Sequence, residues 1–496
     1  MWKTERIIMQ LSKLIPPNDG AALVGEDRDV TGITADSRAV KSGYLFVAIP
    51  GVKHDGAQFI ADAVRQGAAA ILAPQGLAIA HDLPVITTPD VRKTLSGIAA
   101  LFYPRQPRLV AAVTGTSGKT STAQFTRELW SLNGHSAASI GTLGLITPTE
   151  NRYGSLTTPD AITLHRLLDE VANADITHLA MEASSHGLAM HRLDAVRLQV
   201  ASFTNLSRDH LDFHPNMEEY FATKLRLFTH ILPPGCVAVL NADIPEYQEL
   251  HQQCHWRGHK IISYGKRGHD IQLQDHQPHP HGQRIKFTAF GTTHEVLLPI
   301  IGEFQVWNSL CALGMVVGSG DPVEKAVAGL AKLNGVPGRL ELIGKTQTGG
   351  AVFVDYAHKP DALEHVLTAL RPHVAAHEGA KLHVVFGCGG NRDMGKRPLM
   401  GAIAQRLADA VTITDDNPRD ETPALIRQAI IAGCATPANL REIGDRAQAI
   451  AEAIATLRAG DVLVIAGKGH EKGQIVGDKI LPFDDGEVAR QALQKA

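Results

Sequence analysis

A glycine-rich turn in the first third of the chain has the residue types that hold nucleotide phosphates. In the stretch LVAAVTGTSGKTSTAQFTREL, an apolar run leads into this turn, and a helical pattern follows that ends near Gly134. Gly115 and Gly118 let backbone N–H groups converge on phosphate oxygens, which the positive end of the helix also attracts. Lys119 is placed to reach the outer phosphates, and Thr120 is placed to contact Mg²⁺.

This turn is shorter than the common phosphate-binding loop, or P-loop. The usual spacing has a glycine five residues before Gly118, and that position is Val113. An ordinary turn between a strand and a helix is the plain alternative. The Gly-Lys-Thr sequence directly after a buried strand favours phosphate binding, although the turn alone does not separate ATP from GTP or another nucleotide.

Two further predicted strands end in polar side chains. The stretch LAMEASSHG ends a strand at Glu182 and then presents Ser184, Ser185 and His186. The stretch ASFTNLSRDHLDFH presents a second cluster, made of Asn205, Arg208, Asp209, His210, Asp212 and His214. Oxygen ligands with an occasional imidazole suit Mg²⁺. Loops often hold such residues, but both clusters follow strands of the sheet that carries the P-loop, so we predict a metal–phosphate site.

Lys224 lies at the border of an apolar helical stripe. In NMEEYFATKLRLFTHIL, the stripe consists of Met217, Phe221, Leu225 and Phe228. One interpretation is a lysine with a buried stem and an exposed amine. The other is a desolvated lysine whose lowered pKa leaves the amine neutral and able to react. The helical pattern alone leaves both interpretations open.

The elements that position these residues fall into three predicted α/β domains. Residues 1–105 form a small N-terminal domain with short apolar runs such as YLFVAI and AAILA, and YPRQPR is the linker after it. Residues 106–335 alternate helices with RLVAAVT, THLAMEA, LQVASFT and GCVAVLN, which predicts a central parallel sheet flanked by helices. Residues 336–496 hold AVFVDYA, KLHVVFG, AVTITD and DVLVIAG, which predict a Rossmann-like α/β domain.

Composition excludes several classes of protein. The net charge is −3 with no basic block, so nothing favours nucleic acid as a partner. No apolar run is long enough for a membrane span, and the first twenty residues make a poor signal peptide. The five cysteines are scattered without a CxxC pair, as in a cytoplasmic protein with reduced thiols. The His-rich segment DHQPHPHG is predicted to be a surface loop rather than a metal site.

Ten motifs follow one another across almost the whole chain: TGTSGKTS, MEASSHGL, FTNLSRDHLDFH, YFATKLRLF, GEFQVWN, GVPGRLE, VDYAHKPDALE, GCGGNRDMGKRP, DNPRDE and GKGHE. Together they resemble the Mur ligases, which are ATP-dependent amide ligases of cytoplasmic peptidoglycan precursor synthesis. The shortened P-loop is the form found in this family. The resemblance implies a first domain for the UDP end of the substrate, a second for ATP with Mg²⁺ and a third that brings the amino acid.

The resemblance assigns nucleotide and substrate contacts residue by residue. The implied ATP contacts are Gly115, Thr116, Ser117, Gly118, Lys119, Thr120, Ser121, Asn308, Arg339, Asp355 and His358. The implied contacts to the UDP-linked substrate are Ala35, Ser37, Val52, Lys53, His54, Thr157, Thr158, Ser184, Met190 and Arg192. Both sets are expectations, because the spacing of these residues in the sequence does not show that they lie close together in the fold.

The resemblance also assigns the chemistry. Lys224 matches a lysine that is carbamylated to N6-carboxylysine in the family, which favours the second interpretation of this residue. With Thr120, Glu182 and His210 it would hold Mg²⁺, and Lys119, Lys224, His210 and Glu182 would be catalytic. The implied reaction forms an acyl phosphate from ATP, which an amine then attacks, without a protein nucleophile. His358 and Asp209 are both candidates for the base that accepts the amine's proton.

The motifs are most similar to those of members that add meso-2,6-diaminopimelate to the D-Glu side chain of UDP-N-acetylmuramoyl-L-alanyl-D-glutamate. Arg419 of DNPR can grip the far carboxylate of that amino acid with two parallel hydrogen bonds. Family members that add lysine lack this arginine. The implied diaminopimelate contacts are Arg392, Asp416, Asn417, Pro418, Arg419, Gly467 and Glu471. The protein is expected to be a monomer.

Three positions depart from the family pattern. Lys359 stands where threonine is frequent, Asn391 replaces an aspartate, and Met190 replaces a glutamine, which puts one substrate hydrogen bond in doubt. The sequence has three rival interpretations: another ligase of the same mechanism such as folylpolyglutamate synthase, a dinucleotide-dependent oxidoreductase and a non-catalytic nucleotide-binding protein. The DNPR motif argues against the first. The oxidoreductase is disfavoured because VVFGCGGNRDMG does not fit the dinucleotide-binding pattern GxGxxG. The non-catalytic nucleotide-binding protein is disfavoured because it would need no amino-acid pocket.

Overall fold

The computed structural model describes residues 7–495 except 18, 52–54, 79–81, 155, 212, 280–281, 376–377 and 436–438. The chain forms two compact units, Met1–Gln272 with Leu310–Ala326 and Leu273–Ser309 with Val327–Ala496. These units do not test the predicted boundaries after residues 105 and 335, which stay a prediction. Within the described part of the chain, no helix has both the length and the apolar character needed to cross a membrane.

The first unit begins with a small sheet of five strands, ordered β2-β7-β6-β5-β4, in which only β2 is antiparallel to its neighbour. Its core is apolar, with Leu45, Leu72 and Ile98 fully buried. The strands and helices are β1 Met9–Gln10, β2 Ala22–Val24, β3 Asp29–Val30, β4 Gly32–Thr34, β5 Tyr44–Val47, α1 Ile60–Arg65, β6 Ala70–Pro74, β7 Val85–Thr88 and α2 Val91–Phe102. The predicted small α/β domain is confirmed.

The same unit continues into the central sheet, which is parallel from β9 to β16 in the order β11-β10-β9-β12-β8-β13-β14-β15-β16. The elements are β8 Leu109–Thr114, α3 Lys119–Leu132, β9 Ala137–Gly141, β10 Gly144–Ile146, β11 Asn151–Arg152, α4 Ala161–Asn173, β12 His178–Glu182, α5 Ser185–Ala189, β13 Val200–Phe203, α6 Met217–Arg226, β14 Val237–Asn241, α7 Tyr247–Trp256, β15 Lys260–Gly265 and β16 Ile271–His279. The predicted central parallel sheet flanked by helices is confirmed.

The position of β8 explains where polar residues gather. This strand is buried along its whole length and lies between β12 and β13. Glu182 at the end of β12 is level with Val113, and Phe203 at the end of β13 is level with Thr114. The carboxyl ends of three parallel strands therefore bring three loops to one edge of the sheet, where α/β proteins bind ligands.

The second unit contains a six-stranded sheet ordered β19-β20-β24-β21-β22-β23, which is parallel except for β19. The elements from β17 onward are β17 Gly282–Ala289, β18 Thr292–Leu298, α8 Glu303–Gly318, α9 Val323–Leu330, β19 Glu341–Lys345, β20 Ala351–Asp355, α10 Pro360–Ala375, β21 Leu382–Phe386, α11 Lys396–Leu407, β22 Ala410–Ile413, α12 Pro423–Ile431, β23 Leu440–Glu442, α13 Arg446–Ala455, β24 Val462–Ala466, β25 Gly473–Val476, β26 Lys479–Pro482 and α14 Asp485–Leu493. Of these, residues 310–318 of α8 and 323–326 of α9 belong to the first unit. The predicted Rossmann-like α/β domain is confirmed.

One predicted loop is wrong. Residues 275–279 of the His-rich segment belong to β16, and Gly282 begins β17, while residues 280–281 lie outside the described chain. The segment includes Pro278, and proline is tolerated in a strand where its missing N–H is not needed by a neighbour. Among the described residues, no group of three or more His, Cys, Asp or Glu could hold a metal ion.

Candidate functional site

The P-loop is shaped by contacts with the end of β13. Gly115 has a φ of +141°, and a Cβ at this position would lie 2.0 Å from the Thr204 hydroxyl oxygen, so only glycine fits. Thr116 donates its backbone N–H to the Asn205 carbonyl at 2.9 Å, and Ser117 donates its N–H to Asn205 Oδ1 at 2.9 Å. Asn205 therefore fixes the loop that was predicted to bind phosphate.

Helix α3 opens directly from this loop. Gly118 is its N-cap, with a φ of +85° that favours glycine. Lys119, Thr120 and Ser121 form the first turn, in which Thr120 and Ser121 are buried. The helix ends at Leu132, close to the predicted end near Gly134.

Two lysine side chains converge on one carbonyl group of the loop. Lys119 donates from Nζ to the carbonyl oxygens of Gly115, at 2.9 Å, and Thr116, at 2.8 Å. Lys224 donates from Nζ to the same Gly115 oxygen at 2.7 Å. The carbonyl oxygen lies between two amine groups that would repel each other if both were charged.

Lys224 is buried, with 1% of its surface exposed, and its amine lies 4.4 Å from the centre of the Tyr220 ring. Burial lowers the pKa of Lys224 well below its usual range, neighbouring Lys119 lowers it further, and Asp209 opposes both effects. The interpretation of an exposed amine is therefore wrong. The structure agrees with the alternative, a desolvated lysine whose pKa is lowered.

Glu182 places a carboxylate beside the first turn of α3. Its Oε2 accepts from the Thr120 hydroxyl at 3.1 Å, and its Oε1 accepts from the Thr142 backbone N–H at 2.7 Å. A Cβ on Gly141 would lie 2.1 Å from that Oε1. The Thr142 hydroxyl also lies 3.1 Å from the hydroxyl of Thr157. Sequence reasoning missed Thr142, and its only signal was the glycine-flanked turn after β9.

His210 lies in a group of aromatic rings. It adopts a left-handed backbone with a φ of +53°, and its ring meets His186 edge-on at 5.0 Å between centres. His186 in turn stacks on Phe213 at 4.0 Å. The His210 ring is 6.3 Å from that of Tyr220, the ring that also contacts the Lys224 amine. His210 and Lys224 are therefore brought to the same tyrosine.

The residues expected to hold the muramoyl-dipeptide form one network after β12. Thr158 donates from its hydroxyl to the Glu182 carbonyl at 2.8 Å, and Ser184 donates its N–H to the Thr158 hydroxyl at 3.0 Å. Arg192 donates to the Thr158 carbonyl at 2.6 Å and reaches the Met190 sulfur at 3.2 Å. Met190 therefore orients the arginine through a weak acceptor, where a glutamine is more frequent in the family.

The expected uridine contacts lie in the first sheet's loops. Ala35 is exposed, and half-buried Ser37 begins a short 3₁₀ turn, Ser37–Ala39. Asp36 caps this turn by accepting from the Arg38 backbone N–H at 3.0 Å and from its guanidinium at 2.9 Å. Val52, Lys53 and His54 lie outside the described residues.

In the second unit, Asp355 ends β20 as a buried carboxyl. It accepts from the backbone N–H groups of Leu340, at 2.7 Å, and Ala357, at 2.8 Å. Burial raises the pKa of Asp355 to about 6, although the Arg339 guanidinium opposes this shift. Arg339 also lies over the Tyr356 ring, 5.0 Å from its centre. Asp355 and Arg339 are thus brought to one place, as expected of two nucleotide contacts.

His358 and Asn308 complete the expected nucleotide contacts of this unit. The Nδ1 of His358 donates to the Tyr356 carbonyl at 2.8 Å, and burial lowers the pKa of the imidazole. The ring is therefore neutral near pH 7, with Nε2 as its acceptor. Asn308 donates to Gln305 at 2.9 Å, and Gln305 donates to the Arg339 carbonyl at 3.4 Å.

Arg419 is held by carbonyl groups. Its Nη1 donates to the Gly390 carbonyl at 2.9 Å and to the Asn417 carbonyl at 3.4 Å. A Cβ on Gly389 would lie 2.8 Å from this nitrogen. The backbone of Arg419 has a φ of +51° and donates its N–H to the Ile475 carbonyl at 3.0 Å. Carbonyl groups orient the guanidinium without neutralising its charge.

Glu471 lies beside the same loop. It accepts from Asn417 Nδ2 at 3.0 Å and from Lys468 Nζ at 3.2 Å. Gly467 has a φ of +119°, and a Cβ there would lie 3.0 Å from the Asp416 carboxylate. Lys468 belongs to the GKGHE motif but was not predicted as a site residue, because a lone lysine between glycines gives no signal of its contacts.

The loop after β21 holds the remaining expected contact. Arg392 is exposed, and its Cγ lies 3.8 Å from where a Cβ on Gly389 would be. The neighbouring Asn391 has a φ of +51° and donates its side-chain amide to Asp420 at 3.1 Å. Pro418 is buried beside Arg419. Arg392 can therefore reach solvent and any ligand there.

Each unit thus offers a different chemistry. In the first, a glycine loop, a lysine and a buried carboxylate with a threonine hydroxyl can hold a polyphosphate and a hard divalent cation. In the second, a guanidinium and a carboxylate with an amide can hold the carboxylate and the ammonium of an amino acid. Together these features support transfer of a phosphoryl group followed by capture of an amino acid.

Three family profiles match the chain in order. They are described as "Mur ligase family, catalytic domain" at residues 29–103, "Mur ligase middle domain" at 113–316 and "Mur ligase, glutamate ligase domain" at 338–469. They cover most of the chain and span both compact units. Their order is the one that the ten sequence motifs indicated.

Curated relatives cover nearly the whole chain. A protein of Mesorhizobium japonicum named "UDP-N-acetylmuramoyl-L-alanyl-D-glutamate--2,6-diaminopimelate ligase" is 50% identical over 97% of both chains. A protein of the same name from Brucella melitensis is 49% identical over 98% of both chains. A solved structure of a protein with that name is 33% identical to this chain and has a TM-score of 0.71; the match covers 94% of this chain and 95% of the other.

Proposed function

The chain belongs to the Mur ligase family, and we propose that it joins meso-2,6-diaminopimelate to the D-Glu side-chain carboxylate of UDP-N-acetylmuramoyl-L-alanyl-D-glutamate. It is an ATP-dependent amide ligase of peptidoglycan precursor synthesis that forms ADP and phosphate. The observation that carries the choice of amino acid is Arg419, whose guanidinium donates to the Gly390 carbonyl, while neighbouring Asn417 donates to Glu471. The relatives' names agree with this choice.

The reaction begins with activation of the acceptor, because a carboxylate does not react with an amine at neutral pH. A carboxylate oxygen of D-Glu attacks the γ-phosphorus of ATP, the bond to the bridging oxygen breaks, and ADP leaves. Lys119 offsets charge on the transferring group, and the N–H groups of the P-loop hold the phosphates. Positioning and charge stabilisation are the whole contribution of the protein to this step.

The second step forms the amide. The neutral amine of diaminopimelate attacks the acyl carbon, phosphate leaves with the electron pair of the carbon–oxygen bond, and the amine loses a proton. We assign proton acceptance to Nε2 of His358, because burial lowers the pKa of this ring and the bond from Nδ1 to the Tyr356 carbonyl leaves Nε2 as the acceptor. If Asp209 is the base instead, a variant in which His358 is replaced should keep its activity.

The residues around Thr120 fit magnesium. Its hydroxyl and the Glu182 carboxylate lie 3.1 Å apart beside the P-loop, and oxygen donors at a phosphate site are the ligands this ion prefers. When bound, magnesium neutralises negative charge on the phosphates. His210 and Lys224, which share Tyr220 as a neighbour, are the further ligands that we propose.

Lys224 would act as a carbamate. Its neutral amine can attack the carbon of carbon dioxide, forming a nitrogen–carbon bond with loss of one proton to solvent. The product is a carboxylate-like group, which suits a hard cation as an amine does not. The low pKa of this buried lysine supports the proposal, because only the neutral amine reacts.

Phosphate release with each substrate omitted in turn tests the function. We expect ADP and phosphate to form only with ATP, Mg²⁺, the UDP-linked dipeptide and diaminopimelate all present. A panel of amino acids, including lysine and glutamate, then tests the acceptor choice. Equal turnover with lysine would overturn the assignment of diaminopimelate, and turnover with a folate acceptor would favour the folylpolyglutamate synthase alternative.

A further inference from the structure

Lys468 is a buried cation to which neither the sequence motifs nor the reaction assigns a role. It follows β24 in the GKGHE motif, between Gly467 and Gly469, which both have positive φ, at 119° and 55°. The side chain is 0% exposed. A buried ammonium is costly unless acceptors surround it, because it loses its hydration. The acceptors around the Lys468 ammonium therefore indicate the role of this side chain.

Those partners are the residues expected to hold diaminopimelate. The Nζ of Lys468 donates to Asn417 Oδ1 at 3.0 Å and to Glu471 Oε2 at 3.2 Å, and it lies 3.7 Å from Asp416 Oδ1. Two of these three oxygens accept hydrogen bonds from the ammonium, and Asp416 Oδ1 forms a longer ion-pair contact with it. Each of the three oxygens comes from a residue of the expected amino-acid pocket.

Lys468 also fixes which way the Asn417 amide points. The oxygen of this amide accepts from Lys468 and from the Ile475 backbone N–H at 2.9 Å. Both groups are donors, so they require an oxygen on that side. The amide nitrogen must then face the other way, where it donates to Glu471 at 3.0 Å. Without the ammonium, one of the two constraints on this orientation is lost.

The charges of these side chains also link Lys468 to the expected amino-acid site. Asp416 and Glu471 bring two negative charges if both carboxylates are ionised, and Lys468 compensates one of them. These three side chains together then keep one negative charge, and the Glu471 side chain is 36% exposed while Lys468 is fully buried. An arriving ammonium can therefore meet the carboxylate but not the lysine. Among the described residues, both side-chain donors to this carboxylate contact Oε2.

We propose that Lys468 is a positioning residue for amino-acid selection, an inference that rests on the proposed function. It holds Glu471 and Asn417 in the orientation that receives the far ammonium of diaminopimelate, while Arg419 receives the far carboxylate. Lys468 itself touches neither the substrate nor the reacting atoms. Removal of the Lys468 ammonium should raise the KM for the amino acid, because Glu471 and Asn417 would contact the substrate equally in the ground and transition states.

The test replaces Lys468 with methionine, which keeps the length of the side chain and removes its charge. In the full-length enzyme, Lys468→Met is expected to raise the KM for diaminopimelate at least tenfold, with the KM for ATP and for the UDP-linked dipeptide changed less than twofold. Lys479→Met, at an exposed lysine of β26, is the matched control and should leave all three constants unchanged. Circular dichroism checks that both variants fold.

A second variant keeps the test decisive if methionine prevents folding. Lys468→Arg retains the charge but moves the donors, so it should raise the KM for diaminopimelate by a smaller factor without changing that for ATP. An unchanged KM for diaminopimelate in a folded Lys468 variant overturns the proposal, as does an equal rise in all three constants. If the unmodified enzyme does not use diaminopimelate, the proposed function itself fails instead.

Discussion

Lys119 is held by the loop it serves, with its ammonium on two carbonyl oxygens of the P-loop. We predict that Lys119→Ala abolishes ligation but leaves the UDP-linked dipeptide bound, because this lysine acts on the phosphates of ATP and not on the uridine. Ligation is measured as ADP formation and substrate binding by calorimetry. Lys41→Ala, at an exposed lysine, is the control. Near-normal turnover of Lys119→Ala would remove the P-loop assignment.

Lys224 is expected to be equally important for a different reason. Lys224→Ala should be nearly inactive, because the carboxylate-like group proposed to hold the metal would be lost. A short carboxylic acid added to the assay should restore part of the activity by occupying the vacated space. Rescue is scored against the same acid added to Lys119→Ala, which it should not help. An experimental structure of the active enzyme with an unmodified amine at this position would refute the carbamate.

Arg419 is expected to decide diaminopimelate over lysine. A hydrogen bond to a charged group contributes roughly 1.5–3 kcal/mol, and lysine would also bring its ammonium close to an unpaired guanidinium. At about 1.4 kcal/mol per tenfold, discrimination between the two amino acids reaches on the order of a thousandfold. Arg419→Ala should lose activity mainly through a raised KM for diaminopimelate, because the contact lies far from the reacting amine.

The matched variant for that prediction is Arg419→Lys. It should rescue poorly, since a point charge cannot form two parallel hydrogen bonds with a carboxylate. Steady-state kinetics with diaminopimelate and with lysine measure both variants, and lysine should be used no worse by Arg419→Ala than by the unmodified enzyme. An unaltered KM for diaminopimelate in Arg419→Ala would show that the arginine does not select the substrate.

At the scale of secondary-structure elements, one buried ion pair joins helices to strand ends. Arg446 at the start of α13 and Asp485 at the start of α14 are both 0% exposed and meet at 2.7 Å. Arg446 also donates to the carbonyl of Asp415 at 3.3 Å and to that of Ala466 at 3.0 Å. Asp415 and Ala466 directly precede Asp416 and Gly467, two of the expected amino-acid contacts. The Arg446–Asp485 pair therefore helps to hold the backbone that carries these contacts.

We predict that Arg446→Met lowers the free energy of unfolding by about 3–5 kcal/mol, because it leaves a buried carboxylate unpaired. The double variant Arg446→Met with Asp485→Leu should recover part of that loss. Urea unfolding followed by circular dichroism measures both. Arg406→Met, which breaks an exposed pair with Glu364, should cost below about 1 kcal/mol. A double variant less stable than Arg446→Met would contradict this account.

Elements were easier to predict from the sequence than contacts. Continuous apolar runs such as RLVAAVT and KLHVVFG became buried strands, because strands covered on both faces need apolar residues throughout. The prolines and histidines of residues 275–279 misled the prediction, since local turn signals do not show where a strand has room for a proline. Thr142 and Lys468 were missed because their partners lie 40 and 51 residues away in sequence.

At the scale of the whole molecule, the residues that we propose for the phosphates, the UDP-linked substrate and the amino acid all belong to one chain. We therefore predict a monomer whose turnover per chain does not depend on protein concentration. Light scattering after size-exclusion chromatography should give the mass of one chain between micromolar and tens of micromolar protein. A mass or a specific activity that rises with concentration would show that a second copy completes the site.

Two amines donate to the Gly115 carbonyl, so we expect nucleotide binding to replace hydrogen bonds that the P-loop already makes. The lysine of the P-loop already donates to two carbonyl oxygens, so we expect it to give up these bonds when it neutralises a phosphate. The outer phosphates of a nucleotide would replace them with stronger, charge-assisted bonds. AMP and adenosine lack these phosphates, so we expect the loop to discriminate against both before any chemistry occurs.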